Sequence, residues 1–182
     1  MSVLRFCEWL AATPGSVALH ESRYMYLIVL TVHVMTLCVL VGTTAMLDLR
    51  LLGLTLQRVP ASEVAARLLP WMVAGFIVMI ASGSLLFFAD PVVKYRNLFF
   101  RLKMVTLILV VVNAWLFHRR VYGNVDWDQN QVLPRRARIT GGVSLALWAI
   151  MITLGRMIAY QAYWFDCGRQ PHSAIVNLLM GC

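Results

Sequence analysis

The stretch Tyr24–Leu47 reads YMYLIVLTVHVMTLCVLVGTTAML and contains no Asp, Glu, Lys or Arg. At ~1.5 Å of rise per residue, a helix of this length crosses the ~30 Å hydrocarbon core of a bilayer. Three further apolar stretches are each long enough to do the same: Pro70–Ala89, Leu98–His118 and Gly141–Trp164. Asp48 and Arg50 close the first, Asp90-Pro91 the second and Arg119-Arg120 the third, while Tyr160, Tyr163 and Trp164 belt the fourth. Backbone in lipid must satisfy its own hydrogen bonds, and these stretches are too long and uniformly apolar for barrel strands. The fold expected is all-α: a polytopic four-transmembrane-helix bundle with short interfacial helices.

Composition points the same way. Of 182 residues, 60% are hydrophobic and 13% charged, and mean hydropathy is +0.74. A soluble domain cannot hide that much apolar surface, so the excess faces lipid. The formal charge of +8 comes from 16 basic against 8 acidic residues. In a soluble protein this balance would suggest nucleic acid. In a chain with four spans it marks loops facing anionic lipid, and no nucleic-acid partner is expected.

The chain divides into an N-terminal interfacial segment (1–23), the transmembrane domain (24–164) and a C-terminal tail (165–182). The first 23 residues hold Leu4, Phe6, Cys7, Trp9 and Leu10 before a Thr13-Pro14-Gly15 break, which reads as a short interfacial helix and not as a signal peptide. Leu49–Leu69 mixes Arg50, Arg58, Glu63 and Arg67 with apolar residues, and Pro60 and Ser62 offer a helix start; it is expected to be an amphipathic interfacial connection. Three basic residues in this connection and five in the third (Arg119, Arg120, Arg135, Arg136, Arg138) make eight on one side. Arg5, Arg23, Lys94, Arg96 and Arg169 make five on the other. The bias places both termini outside, that is, in the periplasm of a bacterial inner membrane. Cys7, Cys167 and Cys182 then face an oxidising space, where Cys167 and Cys182 either pair or stay free.

Ionisable side chains at membrane depth cost ~2.5–3.5 kcal/mol each on insertion, so each needs a partner or a task. Three stand out: His33, Lys103 and Arg156. Counted from the outer helix ends, all lie ~8–14 Å in, a common layer that Met79, Ser82 and Ser84 of the second span also reach. On the first span Tyr26, His33, Leu37, Leu40 and Thr44 share one stripe, which is expected to face inward.

Three tasks would account for this layer. One is haem b, with His as axial ligand and cations on the propionates. The second is copper, for which His with Met or Cys is suited. The third is a cofactor-free hydrogen-bond network fixing helix register in an accessory or scaffold subunit. No second His stands level with His33: His118 sits at the opposite face, and His20 reaches inward only if its segment folds back. The haem reading therefore uses His33 with Met79, Lys103 or a folded-back His20, or His33 alone in a five-coordinate site, and Arg156 with Arg23 on the propionates. The copper reading uses His33, His20 and Met79, with the outer His172 and Cys167 collecting the ion. No Gly-rich phosphate loop, intramembrane carboxylate pair, CxxC or nucleophile elbow points to hydrolysis or group transfer.

Several pieces of the chain resemble an uncharacterised bacterial four-helix membrane family. They are His20-Glu21-Ser22-Arg23, His33 followed by Val41-Gly42, the run Asp48-Leu49-Arg50-Leu51-Leu52-Gly53, Asn97–Lys103 with Asn113 and His118, Ser144–Trp148 and Gly155–Tyr160. More distantly, a His in the first span with Phe100 and Lys103 opening the third is similar to copper-resistance-D-type transporters and to the haem-b-using membrane protoporphyrinogen oxidase. That resemblance implies His33 and Lys103 as the functional pair. The expectation is a haem b protein passing electrons as a subunit or partner of a membrane or periplasmic redox complex.

Overall fold

A computed structural model describes residues 3–119 and 135–161, except for the side chain of Arg23. Seven α-helices follow in order: α1 (Val3–Ala11), α2 (Pro14–Glu21), α3 (Arg23–Leu52), α4 (Ala61–Ala89), α5 (Pro91–Arg96), α6 (Leu98–Phe117) and α7 (Arg135–Met157), which ends in a 3-10 turn at Ile158–Tyr160. No strand occurs among the described residues.

Four of these helices, α3, α4, α6 and α7, are long and apolar enough to cross a membrane. Large apolar side chains are exposed on every one, among them Ile28 and Met35 on α3, Trp71 and Ile77 on α4, Val105 and Ile108 on α6, and Ile150 on α7. Such a belt is stable only against lipid. The chain is a multi-pass membrane protein.

The helices overrun the expected span limits at one end of the bundle. α3 continues past Leu47 to Leu52. It stops at Gly53, whose φ of 78° places it in the left-handed region. There Gly53 N–H donates to Arg50 O (3.0 Å) and Leu54 N–H to Leu49 O (3.0 Å), the paired bonds of a Schellman cap. Asp48 and Arg50 thus lie within the helix and are buried. α4 starts at Ala61 and carries Pro70 in its interior. The expected interfacial connection is therefore largely continuous helix, with only residues 53–60 joining α3 to α4. α7 likewise begins before Gly141, at Arg135, and the part of the expected fourth span beyond Gln161 lies outside the described residues.

α3 packs along both α4 and α7, and α6 packs along α7. The expected stripe does face inward, with Leu40 and Thr44 buried and Tyr26, His33 and Leu37 partly so. One core cluster joins Leu40, Trp148 and Met151, flanked by Leu37, Phe76 and Met79. A second, at the Gly53 end, joins Leu47, Leu51, Ala61, Val64, Ala65 and Ala137.

The other end is capped. α1 lies against α5, burying Cys7. Ser16 of α2 donates to Phe88 O at the end of α4 (2.7 Å). Asn97 accepts from Phe100 N–H (3.0 Å), capping α6, and its amide donates to Ile158 O (3.0 Å), tying α6 to the end of α7. Lower in the bundle, Asn113 of α6 donates to Thr140 O of α7 (3.3 Å).

Candidate functional site

His33 projects from α3 toward α4, where its Nδ1 lies 2.8 Å from Ser82 Oγ. Ser82 is buried, and its hydroxyl already donates to Val78 O one turn back (2.6 Å). A hydroxyl has one proton, so the bond from His33 runs the other way: Nδ1–H donates and Ser82 Oγ accepts. In the neutral ring this leaves Nε2 with its lone pair free, the state in which histidine binds metals. Gly83 makes room for the ring, since a Cβ there would come within 3.3 Å of His33 Cε1.

Lys103 of α6 reaches the same layer. Its ammonium acts electrostatically on His33, and its Nζ lies 3.5 Å from where a Cβ on Gly155 of α7 would sit. No carboxylate pairs with it among the described residues. All four long helices therefore meet here: α3 through His33, α4 through Ser82 and Gly83, α6 through Lys103 and α7 through Gly155. Met79 lies one turn before Ser82, partly buried against the Leu40 cluster. An aromatic stack of Phe87 on Phe100, with centroids 5.6 Å apart, joins α4 to α6 at the capped end.

The remaining expected site residues lie elsewhere. Arg156 is exposed; it donates to Tyr160 Oη (2.9 Å) and lies over that ring at 5.1 Å. His20 does not fold into the bundle. It pairs with Asp90 at the α4–α5 corner (Nδ1 to Oδ1, 2.6 Å), its side chain 61% exposed. Ser84 is exposed. The side chain of Arg23 and all of Cys167, His172 and Cys182 lie outside the described residues. Among the described residues no three His, Cys, Asp or Glu side chains converge as a metal site would require.

Asp48, read from sequence as a span terminator, is a buried polar group. It is 5% exposed, the side chain of Ser144 on α7 stands within its reach, and its Oδ2 has no partner among the described residues. The sequence does carry a signal for it, because Asp48 falls four residues after Thr44 on the inward stripe.

Residues 11–161 match the model of a family of unknown function, DUF6644. The chain belongs to that family. The match runs from the end of α1 through the last described residue, so the His33–Lys103 layer and the Asp48 contact both fall within DUF6644. No curated protein matches the chain. No solved structure matches it either.

Proposed function

We infer that this DUF6644 protein binds one haem b in the capped half of its bundle and serves electron transfer as a subunit or partner of a redox complex. The membrane is a bacterial inner membrane with both termini in the periplasm, as the basic-residue bias favours. The observation that carries this reading is the oriented imidazole. Ser82 holds Nδ1–H, so His33 would hold the iron through Nε2, with the hydroxyl fixing the ring as outer-shell partners of haem and metal histidines do.

The donor set suits haem. Beside His33 stands Lys103, with no carboxylate partner among the described residues, whose ammonium a propionate would neutralise, and the cluster around Leu40 supplies an apolar wall. Bound haem b would supply a one-electron carrier. Copper fits less well, because a lysine ammonium next to the imidazole repels a second cation.

Detergent-purified protein should show a Soret band with dithionite-sensitive α and β bands, and His33→Ala should abolish them. A colourless preparation with stoichiometric copper by elemental analysis would replace this reading with the copper one. Folded protein holding neither would leave the cofactor-free scaffold.

A further inference from the structure

A groove of about 330 Å³ opens between the end of α3 and the start of α4, at the opposite end of the bundle from His33. Its walls are apolar, formed chiefly by Met46, Leu56, Val59 and Leu68. Its rim carries three charges: Arg58, Arg67 and Glu63. Arg67 is already paired with Glu63 (2.6 Å), whereas Arg58 has no ion pair or hydrogen bond among the described residues. Leu56, which overhangs the groove, is the single non-glycine residue with positive φ among those described, at 51°. A β-carbon makes that conformation costly, and strained loop residues tend to gather at ligand sites.

We propose that this groove binds one anionic phospholipid, an acyl chain against Met46, Leu56 and Leu68 and the headgroup phosphate on Arg58. The groove lies where α3 and α4, both long and apolar enough to cross a membrane, give way to the charged loop at 53–60. The charges decide which lipid. Two guanidiniums and one carboxylate leave a net +1, matching the single negative charge of a phosphatidylglycerol-type headgroup and leaving a zwitterionic lipid without advantage. The inference is independent of any cofactor near His33.

The test is native mass spectrometry of the full chain with phosphatidylglycerol and phosphatidylcholine at equal concentration. One phosphatidylglycerol should be retained in preference to phosphatidylcholine. Arg58→Ala should reduce that preference about fivefold, and Glu63→Gln should increase it by a similar factor, opposite signs from two neighbours. Arg138→Ala removes one exposed charge outside the groove and should change nothing. Soluble glycerophosphoglycerol should not compete; if it does, the apolar walls take no part and the lipid assignment fails. Equal retention of both lipids, or equal effects of Arg58→Ala and Arg138→Ala, would overturn the proposal. Circular dichroism of each variant establishes that it is folded.

Discussion

His33 and Ser82 are joined across the α3–α4 interface, 2.8 Å from Nδ1 to Oγ, and the Val78 carbonyl fixes the direction of that bond by taking the serine proton. Ser82→Ala removes the acceptor while leaving the imidazole in place. The ring then loses its preferred tautomer and orientation, and affinity for a group bound at Nε2 should fall about 10–100-fold. Haem titration of the purified apoprotein measures it. Ser84→Ala, two residues on and exposed, should leave the titration unchanged; equal losses in both variants would refute an orienting role for Ser82.

Glycines in the bundle should separate by what stands opposite them. A Cβ on Gly141 would sit 3.0 Å from the Asp48 carbonyl oxygen and 3.1 Å from Leu51 Cβ. The first of these contacts is backbone, which cannot swing aside, so Gly141→Ala should force α3 and α7 apart at a cost of about 1–3 kcal/mol. Gly42, with nothing within 4 Å, offers the contrast. Alanine there gains helix propensity, and Gly42→Ala should raise stability by about 0.5–1 kcal/mol. Thermal unfolding in one detergent compares the two variants, and a stability loss in both would show that the α3–α7 approach is not what Gly141 serves.

The four long helices and the inward stripe of α3 were legible because both depend on apolar spacing, which a one-dimensional reading captures. Depth by residue count put His33, Ser82 and Lys103 at one level, and the structure sets His33 against Ser82. Azimuth was not legible. Arg156 has a comparable depth but is exposed and engages Tyr160, since a count of residues from a helix end says nothing about which way a side chain points. Asp48 and Arg50 do not end the helix, and the reason is different. Charges near the end of an apolar run read as the water boundary, yet the Schellman cap at Gly53 carries the helix beyond them. The cap was visible as Gly53 itself.

Cys7 should resist alkylation. It is 1% exposed, and burial, assisted by nearby Glu8, pushes its thiol above the ordinary value of 9.0. Less thiolate forms at any pH below that value, so maleimide labelling at neutral pH should be slow until detergent denaturation releases α1 from α5. The linkage has a definite sign. A thiol that holds its proton more tightly when folded contributes stability below the unfolded value and loses it as pH rises through the folded one. Stability should therefore decline above pH 9 in the native chain and less so in Cys7→Ala. Mass spectrometry of labelled peptides checks the first expectation and unfolding at graded pH the second.

Asp48 and Ser144 should behave as a coupled pair. The serine hydroxyl stands within reach of the carboxyl, whose Oδ2 has no partner among the described residues in a nearly closed site. Ser144→Ala takes away a side-chain donor within reach of a buried carboxyl, at a cost of about 1–3 kcal/mol. Asp48→Ala deletes the orphan oxygen together with the group that needed the donor, and the freed serine can bond a carbonyl of its own helix one turn back. That single change should therefore cost little, and adding Ser144→Ala to it should cost almost nothing more. The coupling energy of the double-mutant cycle, from thermal or denaturant unfolding in detergent, should accordingly approach the full cost of Ser144→Ala alone. Additive losses would mean that the two side chains are stabilised separately and that the α3–α7 contact at this level rests on the Gly141 approach instead.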